Sequence, residues 1–71
     1  MNNADRNRLW QKYDAIDKRM HEFQELIAGI QKVIKSHPPD MDYLIQSLKG
    51  YKMILDGLRL QRDGIQKIIE G

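Results

Sequence analysis

The chain has 71 residues, with 12 Lys and Arg against 10 Asp and Glu and no cysteine. A chain of this length forms at most one domain and cannot bury a large core alone. Disulfides, a metal or oligomerisation usually stabilise such chains, and the absence of cysteine excludes the first. Apolar runs are too short to span a membrane and the N-terminal segment has no apolar signal core, so we expect a cytoplasmic protein.

Residues 36–40, Ser-His-Pro-Pro-Asp, are the one strong break in the sequence. A residue before proline is pushed out of the helical region, and proline lacks the N–H that a helix interior needs. The break separates a predicted helix over residues 3–35 from a second over residues 41–70. Asp40 stands at the start of the second helix, where a negative charge is favoured.

The first predicted helix has an unbroken heptad pattern, and Asn2 or Asn3 can cap it. Its apolar residues alternate steps of four and three, which predicts a buried seam. The seam residues are Leu9, Tyr13, Ile16, Met20, Phe23, Ile27, Ile30 and Ile34. A flanking column, Lys12, Arg19, Leu26 and Val33, is basic at first and apolar near the turn. Trp10 lies on the other flank, as core or as a partner contact.

The second predicted helix repeats the seam with one polar member. Its seam residues are Leu44, Leu48, Tyr51, Leu55, Leu58, Arg62, Ile65 and Ile69, and its flanking column is Ser47, Ile54, Gln61 and Ile68. Arg62 favours a side chain whose head reaches past the end of the bundle to water. A register-setting polar contact and a cation facing a ligand are the alternatives.

Glycines recur every seventh residue of the second helix, at Gly50, Gly57, Gly64 and Gly71. Each interior glycine costs a helix roughly 0.5–1 kcal/mol relative to alanine. Close approach by another helix is the favoured explanation. Room for a ligand and simple tolerance of glycine remain alternatives.

The apolar surface exceeds what one antiparallel hairpin can cover. We therefore predict an all-α, coiled-coil-like hairpin, a single domain over residues 1–71, that assembles as a homodimer into a four-helix bundle. The candidate partner or oligomer surface comprises Trp10, Leu26, Val33, Gly50, Ile54, Gly57, Gly64 and Ile68.

Residue patterns for catalysis are missing. The sequence has no cysteine nucleophile, no phosphate-binding glycine loop and no helical His-Glu-x-x-His motif. His21 and His37 stand on different parts of the chain without a ligand cluster, which argues against a metal site. We expect neither enzymatic activity nor a cofactor.

Basic residues offer a nucleic-acid alternative. Residues that could contact phosphates or a small anion are Arg6, Arg8, Lys12, Arg19, Arg59 and Arg62. Acidic residues interleave with the first four, so a solvated face of mixed charge is the simpler interpretation.

The heptad spacing and the Pro38-Pro39-Asp40 turn are similar to those of three unrelated families of helical hairpins. They are dimeric RNA-binding plasmid regulators of the Rop type, type III secretion needle subunits with their small chaperones, and phage proteins that sequester cyclic nucleotides. The similarity covers spacing and turn alone, so it assigns no residue a role.

The sequence thus favours a non-catalytic interaction protein that acts through homo-oligomerisation and a protein partner, as an adaptor, small chaperone or regulator. A nucleic-acid-binding regulator, and a protein that holds an anionic nucleotide between subunits, are the alternatives.

Overall fold

The computed structural model describes residues 2–71. Within this range the chain forms two helices, α1 (Asn3–Lys35) and α2 (Met41–Glu70), which pack against each other. The Cα trace measures 55 Å along the hairpin and 14 and 13 Å across it. The prediction of an all-helical hairpin is confirmed, and residues 2–71 contain no strand. Neither described helix is long and apolar enough to cross a membrane.

The start of α1 is fixed by a side-chain cap. Asn2 is the capping residue, and its side-chain oxygen accepts a hydrogen bond of 2.8 Å from the backbone N–H of Asp5. This bond satisfies one of the four N–H groups that a helix start leaves without a partner. Asp5 in the first turn and Lys32 and Lys35 in the last complement the helix dipole.

The end of α1 combines a tightened last turn with one left-handed residue. The backbone N–H of Ser36 donates to the carbonyl of Val33 at 3.0 Å, and that of His37 donates to the carbonyl of Ile34 at 3.0 Å. His37 has φ 53°, and Pro38 follows without an N–H to donate. Asp40 then occupies the N-cap position of α2 but makes no side-chain capping bond.

Replacing His37 with glycine should stabilise the hairpin. Left-handed backbone costs a residue with a Cβ about 1–2 kcal/mol, and part of this gain is lost to the greater freedom of glycine in the unfolded chain. We expect His37→Gly to raise the free energy of unfolding by about 0.5–1 kcal/mol in urea denaturation. Lys32→Gly, in regular helix, is the control and should lower it by about 1 kcal/mol. Equal or lower stability for His37→Gly would contradict the strain argument.

The seam residues of both helices form the interior, as their spacing requires. Met20, Ile27 and Leu55 make a buried cluster, against which five half-buried seam residues pack: Ile16, Phe23, Leu48, Tyr51 and Leu58. The rings of Phe23 and Tyr51 meet at 5.9 Å between centroids. Ile69 is the only other buried hydrophobic residue in the described chain, so the interior is one side chain thick.

Candidate interaction surface

The two flanks of the seam face opposite sides of the hairpin. Antiparallel helices are related by a local two-fold axis perpendicular to them, so equivalent heptad columns share a side. In α1, the column next to Met20 contains Lys12, Arg19, Leu26 and Val33. The equivalent column in α2, next to Leu55, contains Ser47, Ile54, Gln61 and Ile68. We call the side they share the broad side of the hairpin.

The broad side exposes aliphatic side chains from both helices. Leu26 and Val33 of α1 and Ile54 and Ile68 of α2 are all exposed. Lys12, Arg19 and Gln61 belong to the same columns and are exposed as well, whereas Ser47, the remaining member, is partly buried. The apolar residues of the predicted partner surface, apart from Trp10, therefore share one side of the hairpin.

Glycines of α2 lie next to this side and touch nothing. A Cβ built on Gly50, Gly57 or Gly64 would meet no atom within 4 Å, and the same holds for Gly29 in α1. The contact between α1 and α2 therefore does not require these glycines. If close helix packing explains the stripe, the packing helix belongs to another chain.

Trp10 lies on the opposite side from Leu26 and Ile54. Its ring meets Tyr13 edge-on, with 5.2 Å between centroids and 73° between planes. The indole is 40% exposed, so it is part of neither the core nor the broad side. The sequence grouped Trp10 with the other candidate surface residues, and the geometry separates them.

Arg62 points toward α1 and forms a polar cluster within the seam. Its guanidinium donates to the carboxylate of Asp17 at 3.0 Å and lies 3.5 Å from that of Asp63. The guanidinium carbon is 6.0 Å from the ring centroid of Tyr13. Asp17 also lies 3.4 Å from the imidazole of His21. Arg62 thus makes the polar cross-helix contact rather than reaching past the end of the bundle.

The contacts of Arg62 stabilise its charged form but leave its Nε–H donor without a hydrogen-bond partner. The hydrogen bond to Asp17 raises the pKa of Arg62 above its ordinary value, against the opposing effect of desolvation. The Nε–H is buried and has no hydrogen-bond partner in the described chain. A seam cation held in this way specifies which residues of α1 and α2 lie opposite each other, at a cost in stability.

Removing Asp17 should therefore destabilise the hairpin more than removing Asp14, which lies one turn away and forms no ion pair with the described residues. Asp17→Ala leaves the Arg62 charge half-buried without its main partner, whereas Asp14→Ala removes only a solvated carboxylate. In an Arg62→Leu background, Asp17→Ala should have little effect. Urea denaturation of the four-member cycle measures this coupling. A coupling free energy of zero would show that the contact between Asp17 and Arg62 contributes nothing to stability.

The basic residues of α1 are open to solvent. Arg6, Arg8, Lys12 and Arg19 are exposed and form no ion pair within 4.0 Å among the described residues. Arg59 lies 3.9 Å from Asp56, a distance at which a surface pair contributes little. Of the six candidate anion contacts, Arg62 is the one whose guanidinium forms a hydrogen bond between the two helices.

Two depressions on the surface are open and shallow. One has a volume of about 440 Å³ and is lined by Arg19, Glu22, Phe23 and Leu26, all from α1. The other has a volume of about 450 Å³ and is lined by residues between 60 and 70 of α2. No group of three or more His, Asp or Glu side chains within residues 2–71 could hold a metal ion. The notable surface features are therefore the exposed aliphatic residues and glycines.

Sequence reasoning missed the Asp17 contact, although a signal for it was present. Arg62 lies 24 residues after Pro38, so the antiparallel chain brings it opposite residues near 14, and Asp14 and Asp17 are the nearby carboxylates.

Comparisons of the chain with protein-family models, curated proteins and solved structures find no match.

Proposed function

We propose that this chain is a non-catalytic interaction protein, an adaptor, small chaperone or regulator, that works as a homo-oligomer. The hairpin assembles with a second copy into a dimeric four-helix bundle and presents its remaining surface to a protein partner. One observation carries the proposal. Four hydrophobic residues are buried in the described chain, whereas nine large hydrophobic side chains stay exposed.

The size of the exposed surface supports self-association. The accessible surface of one hairpin is 5611 Å². Surface–mass scaling gives about 4,600 Å² for a compact protein of the same mass. The excess of roughly 1,000 Å² is comparable to the ~800 Å² that each partner buries in a specific interface.

Sedimentation equilibrium tests the oligomeric state directly. Across the micromolar range, we expect a mass twice the 8.4 kDa of the single chain. A single-chain mass throughout that range would overturn the homo-oligomer.

Trp10 is the residue through which we propose that the protein partner binds. It faces away from the broad side, and partly exposed tryptophan is favoured as an anchor in protein interfaces. Trp10→Ala should keep the dimer mass but lose the partner in a pull-down from the native host. A partner retained at the wild-type level would remove Trp10 from the site.

A nucleic-acid-binding regulator is the second candidate, because four exposed cations of α1 have no acidic partner within the described chain. Those on the broad side or next to it, Arg8, Lys12 and Arg19, would contact phosphates. Charge removal at these three should abolish binding of a labelled RNA or DNA at moderate salt and flatten its salt dependence. The candidate fails if wild-type protein shows no binding, or if the triple variant binds as well.

A further inference from the structure

The outer surface of α2 is divided by charge. Between residues 49 and 64, the charged side chains outside the seam are Lys49, Lys52, Asp56, Arg59 and Asp63. All five lie in the heptad columns on one half of the helix. The other half carries Gly50, Met53, Ile54, Gly57, Leu60, Gln61 and Gly64, which we call the glycine face. No charge falls on this face, and all seven residues are exposed.

The glycine face has the shape of a trough. The three glycines stand one heptad apart and form its floor. Met53 and Leu60, 74% and 73% exposed, stand on one side, and Ile54 stands on the other. Because glycine lacks a Cβ, another helix can approach this floor more closely than an ordinary helix surface. No atom of α1 lies within 4 Å of a Cβ built on these glycines, so the approaching helix lies outside the hairpin.

We propose that the α2 helix of a second copy packs antiparallel along this face, with Gly57 on the two-fold axis. The inference rests on the proposed homo-oligomer and specifies its interface. A two-fold axis at Gly57 places Gly50 opposite Gly64 of the partner subunit, since the outer glycines are each seven residues from the central one. Because equivalent columns share a side in an antiparallel pair, the same register places Leu60 beside Met53 of the partner subunit. The patch is thus complementary to itself, as a two-fold interface requires.

The absence of charge and the position of the exposed apolar side chains both favour a second copy as the occupant. The absence of charge on the glycine face means that two identical copies meet without repulsion. The antiparallel register places Lys67 near Gln46 of the partner subunit, whereas a parallel register would place it level with another Lys67. The face also lies on the half of the hairpin that carries Ile54 and Ile68, where the surplus apolar surface is concentrated.

Engineered cysteines test the register, because the chain has none of its own. Helices in contact at about 8–10 Å between axes bring facing Cα atoms to within disulfide reach. In a glutathione buffer, Gly57→Cys should form linked dimers alone. Gly50→Cys and Gly64→Cys should each fail alone but cross-link when mixed. Gly29→Cys, on α1, is the control, and Gly57→Cys should exceed its cross-linking rate by at least about tenfold.

Other cross-linking patterns overturn the proposal. If all three α2 variants cross-link alone, the helices are parallel. If Gly57→Cys cross-links no faster than Gly29→Cys, the glycine face is not the interface.

A charge variant separates this inference from the proposed function. Met53→Lys combined with Leu60→Lys changes exposed side chains that the hairpin does not need, and should raise the dimer dissociation constant by about a hundredfold. Gln24→Lys, exposed on the opposite side, is the control and should leave the constant unchanged. An unchanged constant for the double variant overturns the interface but keeps the homo-oligomer. A monomeric wild-type protein removes both.

Discussion

Replacing Leu55 with alanine should remove about 2–4 kcal/mol from the free energy of unfolding. Leu55 is buried between Met20 and Ile27, in a cluster that the half-buried seam residues surround. Truncation removes the apolar surface of the side chain and leaves a cavity that a single layer of side chains cannot fill without moving both helices. A chain of this length is stable by only about 4–10 kcal/mol, so the loss is a large fraction of the total.

Ile45→Ala is the matched control for this substitution. Ile45 is 37% exposed, against 8% for Leu55, and lies on the side of the hairpin that faces away from Ile54, so truncation there removes less buried surface and leaves no enclosed cavity. We expect a loss below about 1 kcal/mol. Urea denaturation at one protein concentration compares the two variants. Equal losses for Leu55→Ala and Ile45→Ala would show that the seam cluster is not the source of stability.

The helical hairpin could be predicted because its determinants are local. Pro38 and Pro39 act on their own neighbourhood, and the seam from Leu9 to Ile34 depends on spacing along one helix. Burial follows the same spacing in the structure, where every seam residue of α1 is at least half-buried. Such determinants can be recognised without knowing which residues of the other helix they contact.

Features that depend on two distant segments were harder to predict. The bond between Arg62 and Asp17 joins residues 45 apart in sequence, and it needs the register that the turn sets. The left-handed backbone of His37 was equally hard to predict, because the left-handed residue after a helix is usually glycine. The heptad spacing already placed Trp10 and Leu26 on different flanks of the seam, but which residues of α2 share a side with each depends on the pairing of the two helices.

Met53 and Leu60 lie outside the predicted seam, and the sequence alone assigns them no role. Each is an exposed hydrophobic residue, which alone carries little meaning. Their importance comes from the glycines beside them and from the charged residues that all lie on the other half of α2. The glycine stripe itself was apparent from the sequence, and the structure adds that Met53 and Leu60 beside it stay exposed and that α1 does not contact it.

Dilution should lower the thermal midpoint by about 3–6 °C for each tenfold fall in protein concentration. In a dimer that unfolds to two separate chains, each tenfold dilution removes 1.4 kcal/mol of stabilisation at 25 °C. Two chains of 71 residues unfold together with an entropy large enough to turn this amount into a shift of a few degrees. A hundredfold dilution series followed by circular dichroism measures it.

The size of this shift distinguishes a hairpin that is stable alone from one that needs a partner. A thin core with nine exposed large hydrophobic side chains makes the second case the expected one. The oxidised Gly57→Cys dimer is the control, because linked chains unfold as one molecule and their midpoint should not change with concentration. If the midpoint of the wild-type protein is equally constant, association contributes nothing to its stability. The seam would then account for all of it, and the exposed aliphatic residues would be free for a different partner.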